Sequence, residues 1–132
     1  MTNIQSIKIR FSDIDAMGHV NNAIYLSYFE EARIAFFSEL IGGKWDWNKI
    51  GILVAKNELE YHLPVLLNDS LTSETSIERV GTKSMDMVYK LYVERDGTKI
   101  LATSGKSVLV CFDYQKKATA AVPTDWKNAL EA

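Results

Sequence analysis

The sequence predicts an α+β fold in which one long helix follows a first strand and the rest of the chain is an antiparallel meander. Three observations carry this. Apolar residues recur at helical spacing over one long stretch only, at Tyr25, Tyr28, Phe29, Ala32, Phe36 and Leu40. From Ile52 to Phe112 the period changes to two, broken by short polar turns. Asp96-Gly97, the strongest hairpin signal, falls between two such alternating runs. Segregation of one helix from a run of strands defines the α+β class.

The elements follow in order. Ile7, Ile9 and Phe11 alternate with Lys8, Arg10 and Ser12, which predicts a half-buried first strand. A polar loop leads to the helix at about Asn22, and Gly42-Gly43 supplies its left-handed cap. Ile24, Leu26, Ile34, Ala35 and Phe37 lie off the main stripe, so the helix needs cover on more than one side. Arg33, deep in the helix, is expected to pair with a carboxylate. A loop over 44–51 carries Trp45 and Trp47. Strands are then expected at Ile52 to Leu63, Leu71 to Val80, Ser84 to Arg95 and Thr98 to Phe112, with Gly105 a bulge in the last. A short strand at Ala118 to Val122 and a brief helix opened by Pro123, around Trp126 and Leu130, complete the chain.

At 132 residues the chain forms a single domain, 1–132, without repeat, linker or low-complexity stretch. A net charge of −2 and no basic stripe argue against a nucleic-acid partner. Cys111, in the apolar run Val108-Leu109-Val110-Cys111-Phe112, reads as a small buried strand residue. A lone cysteine cannot form an internal disulfide, so a reducing cytoplasm is expected. The N-terminus has neither a basic n-region nor an apolar h-region, and no run approaches a membrane span, so no membrane partner is expected.

Chemistry concentrates between Asp13 and Asn22, where two acids, a glycine, a histidine and two asparagines precede the helix. A carboxylate ahead of a helix N-terminus can supply a base or nucleophile. The free N–H groups of the first helical turn can hold negative charge developing on a carbonyl oxygen. The spacing D-x-D-x-x-G-H-V-N-N-x-x-Y over Asp13, Asp15, Gly18, His19, Asn21, Asn22 and Tyr25, followed by Glu30-Glu31-Ala32-Arg33, resembles hotdog-fold acyl-CoA thioesterases of the 4-hydroxybenzoyl-CoA thioesterase type. It is more distantly similar to plant acyl-carrier-protein thioesterases. The resemblance implies the hotdog fold, an antiparallel sheet wrapped around one long central helix.

It also implies roles. Asp15 would be the catalytic carboxylate, and the backbone N–H of Asn22 would donate to the thioester oxygen. His19 corresponds to a catalytic residue of the plant enzymes and could polarise the site or hold Asp15. The chain departs from those enzymes at Met17, where they carry an asparagine, which moves weight to Asp15. Lys83 and Ser84 match a basic-Ser turn that contacts CoA phosphates, against the plainer reading of a solvated hairpin. Tyr25 could floor an acyl pocket, although helix-face aromatics ordinarily belong to a core. Asp13 reads as a turn residue bonding to backbone. Glu58, Glu60 and His62 share a strand face and read as polar surface rather than as a metal site, so neither metal nor cofactor is expected.

The implied function is hydrolysis of an acyl-CoA thioester to CoA and a carboxylic acid by a homodimer or homotetramer with its site at the subunit boundary. Two alternatives belong to other classes. A hotdog hydratase or dehydratase would carry a Gly-Asp-x-Asn-Pro-x-His type run, which is absent. A non-catalytic acyl-CoA-binding hotdog protein would keep the pocket without needing Asp15.

Overall fold

Alternation along β4 (Ser84–Arg95) puts Met85, Met87, Tyr89, Leu91 and Val93 on one face, and all five are buried. They form the floor of the core. In the computed structural model, which describes residues 1–132, β4 lies at the centre of one antiparallel sheet. Its neighbours are β3 (Ser70–Val80) and β5 (Thr98–Asp113), with β1 (Thr2–Ile7) and β2 (Ile50–Tyr61) at the two edges. The order is β1-β3-β4-β5-β2, and a two-residue β6 (Ala118–Thr119) pairs with the end of β5.

The helix α1 (Tyr25–Ile41) packs its stripe of Tyr25, Tyr28, Phe29, Ala32 and Phe36 into the sheet. Burying each large side chain contributes about 1.5–3 kcal/mol. Phe29 stacks on Tyr89 with ring centroids 4.3 Å apart and planes within 4°. Gly42 ends the helix at φ 74°, its N–H reaching the Ser38 carbonyl at 3.0 Å. The helix α2 (Thr124–Glu131) covers the C-terminal end of α1 by inserting Trp126. That ring lies 5.4 Å from Phe37, 5.0 Å from Trp45 and 5.8 Å from Trp47. A sheet curled around one helix is the hotdog arrangement expected above.

Three local expectations are corrected. The first strand runs Thr2–Ile7 rather than from Ile7 to Ser12, because backbone pairing with β3 defines it, from Thr2 opposite Ser76 to Ile7 opposite Leu71. Phe11 instead begins a short 3-10 turn and is 82% exposed. Gly105 is not a bulge. It pairs in register with Tyr89 and Leu59, while the extra residue in β5 is Ala102, between partners of Leu91 and Tyr92. Gly105 lacks a side chain because a Cβ there would meet the Phe29 ring and lie 2.9 Å from the Glu58 carbonyl. The last strand stops at Thr119 rather than Val122. No helix is long and apolar enough to cross a membrane.

Candidate active site

The polar loop between β1 and α1 is built from its own side chains. Asp13 is buried, and its Oδ2 accepts from the Arg10 N–H at 3.0 Å and the Tyr28 hydroxyl at 2.6 Å. It bonds backbone, as a turn aspartate does, and also anchors the loop to α1. Burial, then the adjacent Asp13 carboxylate, push the Tyr28 hydroxyl well above the usual phenol range. Gly18, at φ 87°, supplies the left-handed residue that reverses the chain. The reversal lets the Asp15 N–H reach the His19 carbonyl at 3.1 Å.

Asp15 is half-buried and held at both oxygens. Its Oδ1 accepts from the Met17 N–H at 2.9 Å and its Oδ2 from Asn21 Nδ2 at 3.2 Å. Asn21 then caps the 3-10 turn Asn22–Ile24 that leads into α1, its Oδ1 accepting from the Ala23 N–H at 3.0 Å. The backbone groups of Asn21 and Asn22 are engaged but for one. The Asn21 carbonyl accepts from the Ile24 N–H, and the Asn22 carbonyl accepts from the Tyr61 hydroxyl at 3.1 Å. The N–H of Asn22 has no acceptor within the chain. A tethered carboxylate on Asp15 and a free amide donor on Asn22 therefore belong to a single hydrogen-bonded unit, linked through Asn21.

The unit borders a cleft of about 170 Å³ lined by His19, Asn22, Tyr25, Tyr61, Leu63 and neighbours. The His19 ring forms no hydrogen bond within the chain, and only its carbonyl touches Asp15. Tyr25 is buried at the base of the cleft, 5.2 Å edge-on to Tyr61, and burial raises its hydroxyl pKa. Tyr61, from the end of β2, is the residue that sequence reasoning missed here. Nothing local marks it, since it meets the motif only through the sheet.

The 64–69 loop supports the motif from behind. The Val65 carbonyl accepts from the Val20 N–H at 2.8 Å. Arg95 bonds the Pro64 carbonyl at 2.9 Å and clamps Asp69 with contacts of 2.9 and 2.6 Å. That guanidinium holds the Asp69 carboxyl below the usual carboxylate range.

Lys83 and Ser84 lie elsewhere. Ser84 pairs with Val110, whereas Tyr61 pairs with Thr103, so the two places are roughly 20 Å apart along β5. Lys83 is exposed and only grazes Thr119 Oγ1 at 3.4 Å. Glu58 pairs with Lys56 at 2.7 Å, and His62 Nε2 shares a 2.9 Å hydrogen bond with Ser104 Oγ. No group of three histidine, cysteine or acidic side chains could hold a metal ion. The carboxylate expected for Arg33 is absent, because its Nη1 donates to the Tyr89 hydroxyl at 2.9 Å and no acid is within salt-bridge reach.

The model of the thioesterase-like superfamily matches residues 9–130. The chain belongs to that superfamily. Among its curated relatives is the long-chain acyl-CoA thioesterase FadM of Escherichia coli, 27% identical over 126 residues, covering 95% of this chain and 94% of the relative. A Thermus thermophilus thioesterase solved with coenzyme A and zinc is 32% identical, with a TM-score of 0.82 over 98% of this chain and 97% of the other. A 4-hydroxybenzoyl CoA thioesterase complexed with 4-hydroxybenzoyl CoA superposes with a TM-score of 0.87, covering 98% of both chains. At 19% identity that likeness establishes the shared hotdog fold.

Proposed function

We propose that the protein hydrolyses acyl-CoA thioesters, with Asp15 as the reacting carboxylate and the Asn22 N–H as the oxyanion donor. The observation that carries this reading is the pairing of a tethered carboxylate with one unengaged helix-terminal amide, joined through Asn21. Asp15 either takes a proton from the attacking water or attacks the carbonyl carbon itself. In both routes an oxygen adds to that carbon, the C–S bond breaks, and CoA leaves as thiolate and takes up a proton. Where Asp15 attacks, water then hydrolyses the mixed anhydride and frees the carboxylate, so in both routes water supplies the acid's second oxygen. The Asn22 N–H gains strength as charge builds on the carbonyl oxygen, which lowers the barrier rather than merely tightening binding. His19, with its ring free at the cleft, is placed to polarise the site.

The active form in this reading is a homodimer or larger. β2 leaves one edge of twelve residues unpaired, and most of its side chains are exposed. Two copies pairing antiparallel along that edge would set Tyr61 of the partner subunit beside Ile50. The partner's Asp15 and Asn22 would then stand at the same end of the sheet as Lys83 and Ser84. A CoA chain could reach phosphate contacts on one subunit and the reacting groups of the other. The lone Cys111 is buried, with its thiol pushed up to about 11 by burial, so it offers no competing nucleophile.

Thiol release measured over a panel of acyl-CoAs tests the reading. Catalytic turnover of at least one is expected. A fully folded protein that binds acyl-CoA and releases no thiol would instead be a binding protein.

A further inference from the structure

A cavity of about 380 Å³ lies along the C-terminal half of α1, bordered by the 44–50 loop and the start of β2. Its wall is mainly apolar, including Ile34, Phe37, Trp45, Trp47 and Ile52. One charged side chain enters it, that of Arg33. Arg33 is half-buried, and of its five N–H donors one is committed, to the Tyr89 hydroxyl. Tyr89 is wholly buried and stacked on Phe29, so this bond fixes the guanidinium. A cation so placed, among aromatic and aliphatic walls with no acid in reach, keeps donors free for an anion that enters the cavity.

We infer that this cavity takes the acyl group of the substrate and that Arg33 selects acyl groups bearing an anion at their far end, such as the monothioesters of dicarboxylic acids. The inference rests on the thioesterase reading and on two copies paired along the whole β2 edge, which would bring the partner's Tyr61 and the partner's Asn22 to the Ile50 end of β2, near the cavity wall. At roughly 30 Å³ per methylene-sized group, the cavity holds about a dozen such groups. That is an apolar spacer of medium length followed by a carboxylate. The guanidinium fork can grip a carboxylate with two parallel N–H bonds, which a hydroxyl or methyl end group cannot receive equally well.

The test compares decanoyl-CoA with sebacoyl-CoA, two ten-carbon substrates that differ in the terminal carboxylate. The wild-type oligomer should favour sebacoyl-CoA by about 10-fold or more in kcat/KM. Arg33→Gln, which keeps a donor for Tyr89, should remove that preference. Wild type turning over decanoyl-CoA as well as sebacoyl-CoA overturns the inference while leaving the thioesterase reading intact. Wild type that releases thiol from neither these nor any other acyl-CoA overturns the reading beneath it. A variant that retains the preference, or that loses it only by dissociating into monomers, shows Arg33 serving the fold or the interface and also overturns the inference. Should the variant not fold, the wild-type ratio decides alone.

Discussion

The hydroxyl of Tyr61, on the last residue of β2, donates to the carbonyl of Asn22 at 3.1 Å across 39 positions of sequence. It clamps the turn whose N–H is free, and ties the proposed oxyanion donor to the edge strand through which two copies would pair. Tyr61→Phe keeps the ring and its edge-on contact with Tyr25 while removing the bond. A looser donor should lower kcat by roughly 5-fold with little change in KM, since a net hydrogen bond is worth about 1 kcal/mol. Steady-state kinetics check this, and an unchanged kcat would show that the turn holds itself.

Lys83 is expected to act in binding alone. Lys83→Ala should raise the KM for acyl-CoA by roughly 5-fold and leave kcat nearly unchanged, because a phosphate contact remote from the carbonyl serves ground and transition states alike. The effect should weaken with salt. A pantetheine thioester, which lacks the nucleotide, should be handled equally by both proteins. Equal slowing of both substrates would make Lys83 structural.

Much of this site is legible in sequence because it is local. Asp13, Asp15 and Asn21 bond mostly to groups within a few residues, so their spacing already encodes the turn. The helix is readable for the same reason, from its stripe and its Gly42 cap. What escapes is long-range. Arg33 meets Tyr89 across 56 positions, and no periodicity announces a phenol rather than a carboxylate as its partner. β1 escapes too, since its inward residues include the polar Asn3, held by Glu39, and its limits are set by β3. Gly105 resembles a strand bulge until Phe29 is seen to occupy the space above it.

The Asp69–Arg95 clamp predicts an acid limb in stability. Arg95 lowers the Asp69 pKa in the folded state, so the pair's stabilisation is complete above the ordinary aspartate pKa of about 3.9 and is lost as pH falls through the depressed folded value. Asp69→Asn should cost about 1–3 kcal/mol at neutral pH and flatten the dependence below pH ~4. Denaturant melts from pH 2 to 7 would reveal it. An equally steep acid loss in the variant would place the sensitivity elsewhere.

Light scattering at micromolar concentration should give a homodimer or larger, because the β2 edge is long and unpaired. A stable, active species at the chain mass of 14.9 kDa would contradict the shared site.

The most direct measurement concerns Asp15 itself. Thiol release by Asp15→Asn should fall on the order of 100-fold or more, with folding and assembly retained, since the amide preserves shape but is neither base nor nucleophile. Asp13→Asn should lose less activity and more stability, because its carboxylate is buried against the Tyr28 hydroxyl. An Asp15→Asn protein that releases CoA at a near wild-type rate would contradict the mechanism at its centre.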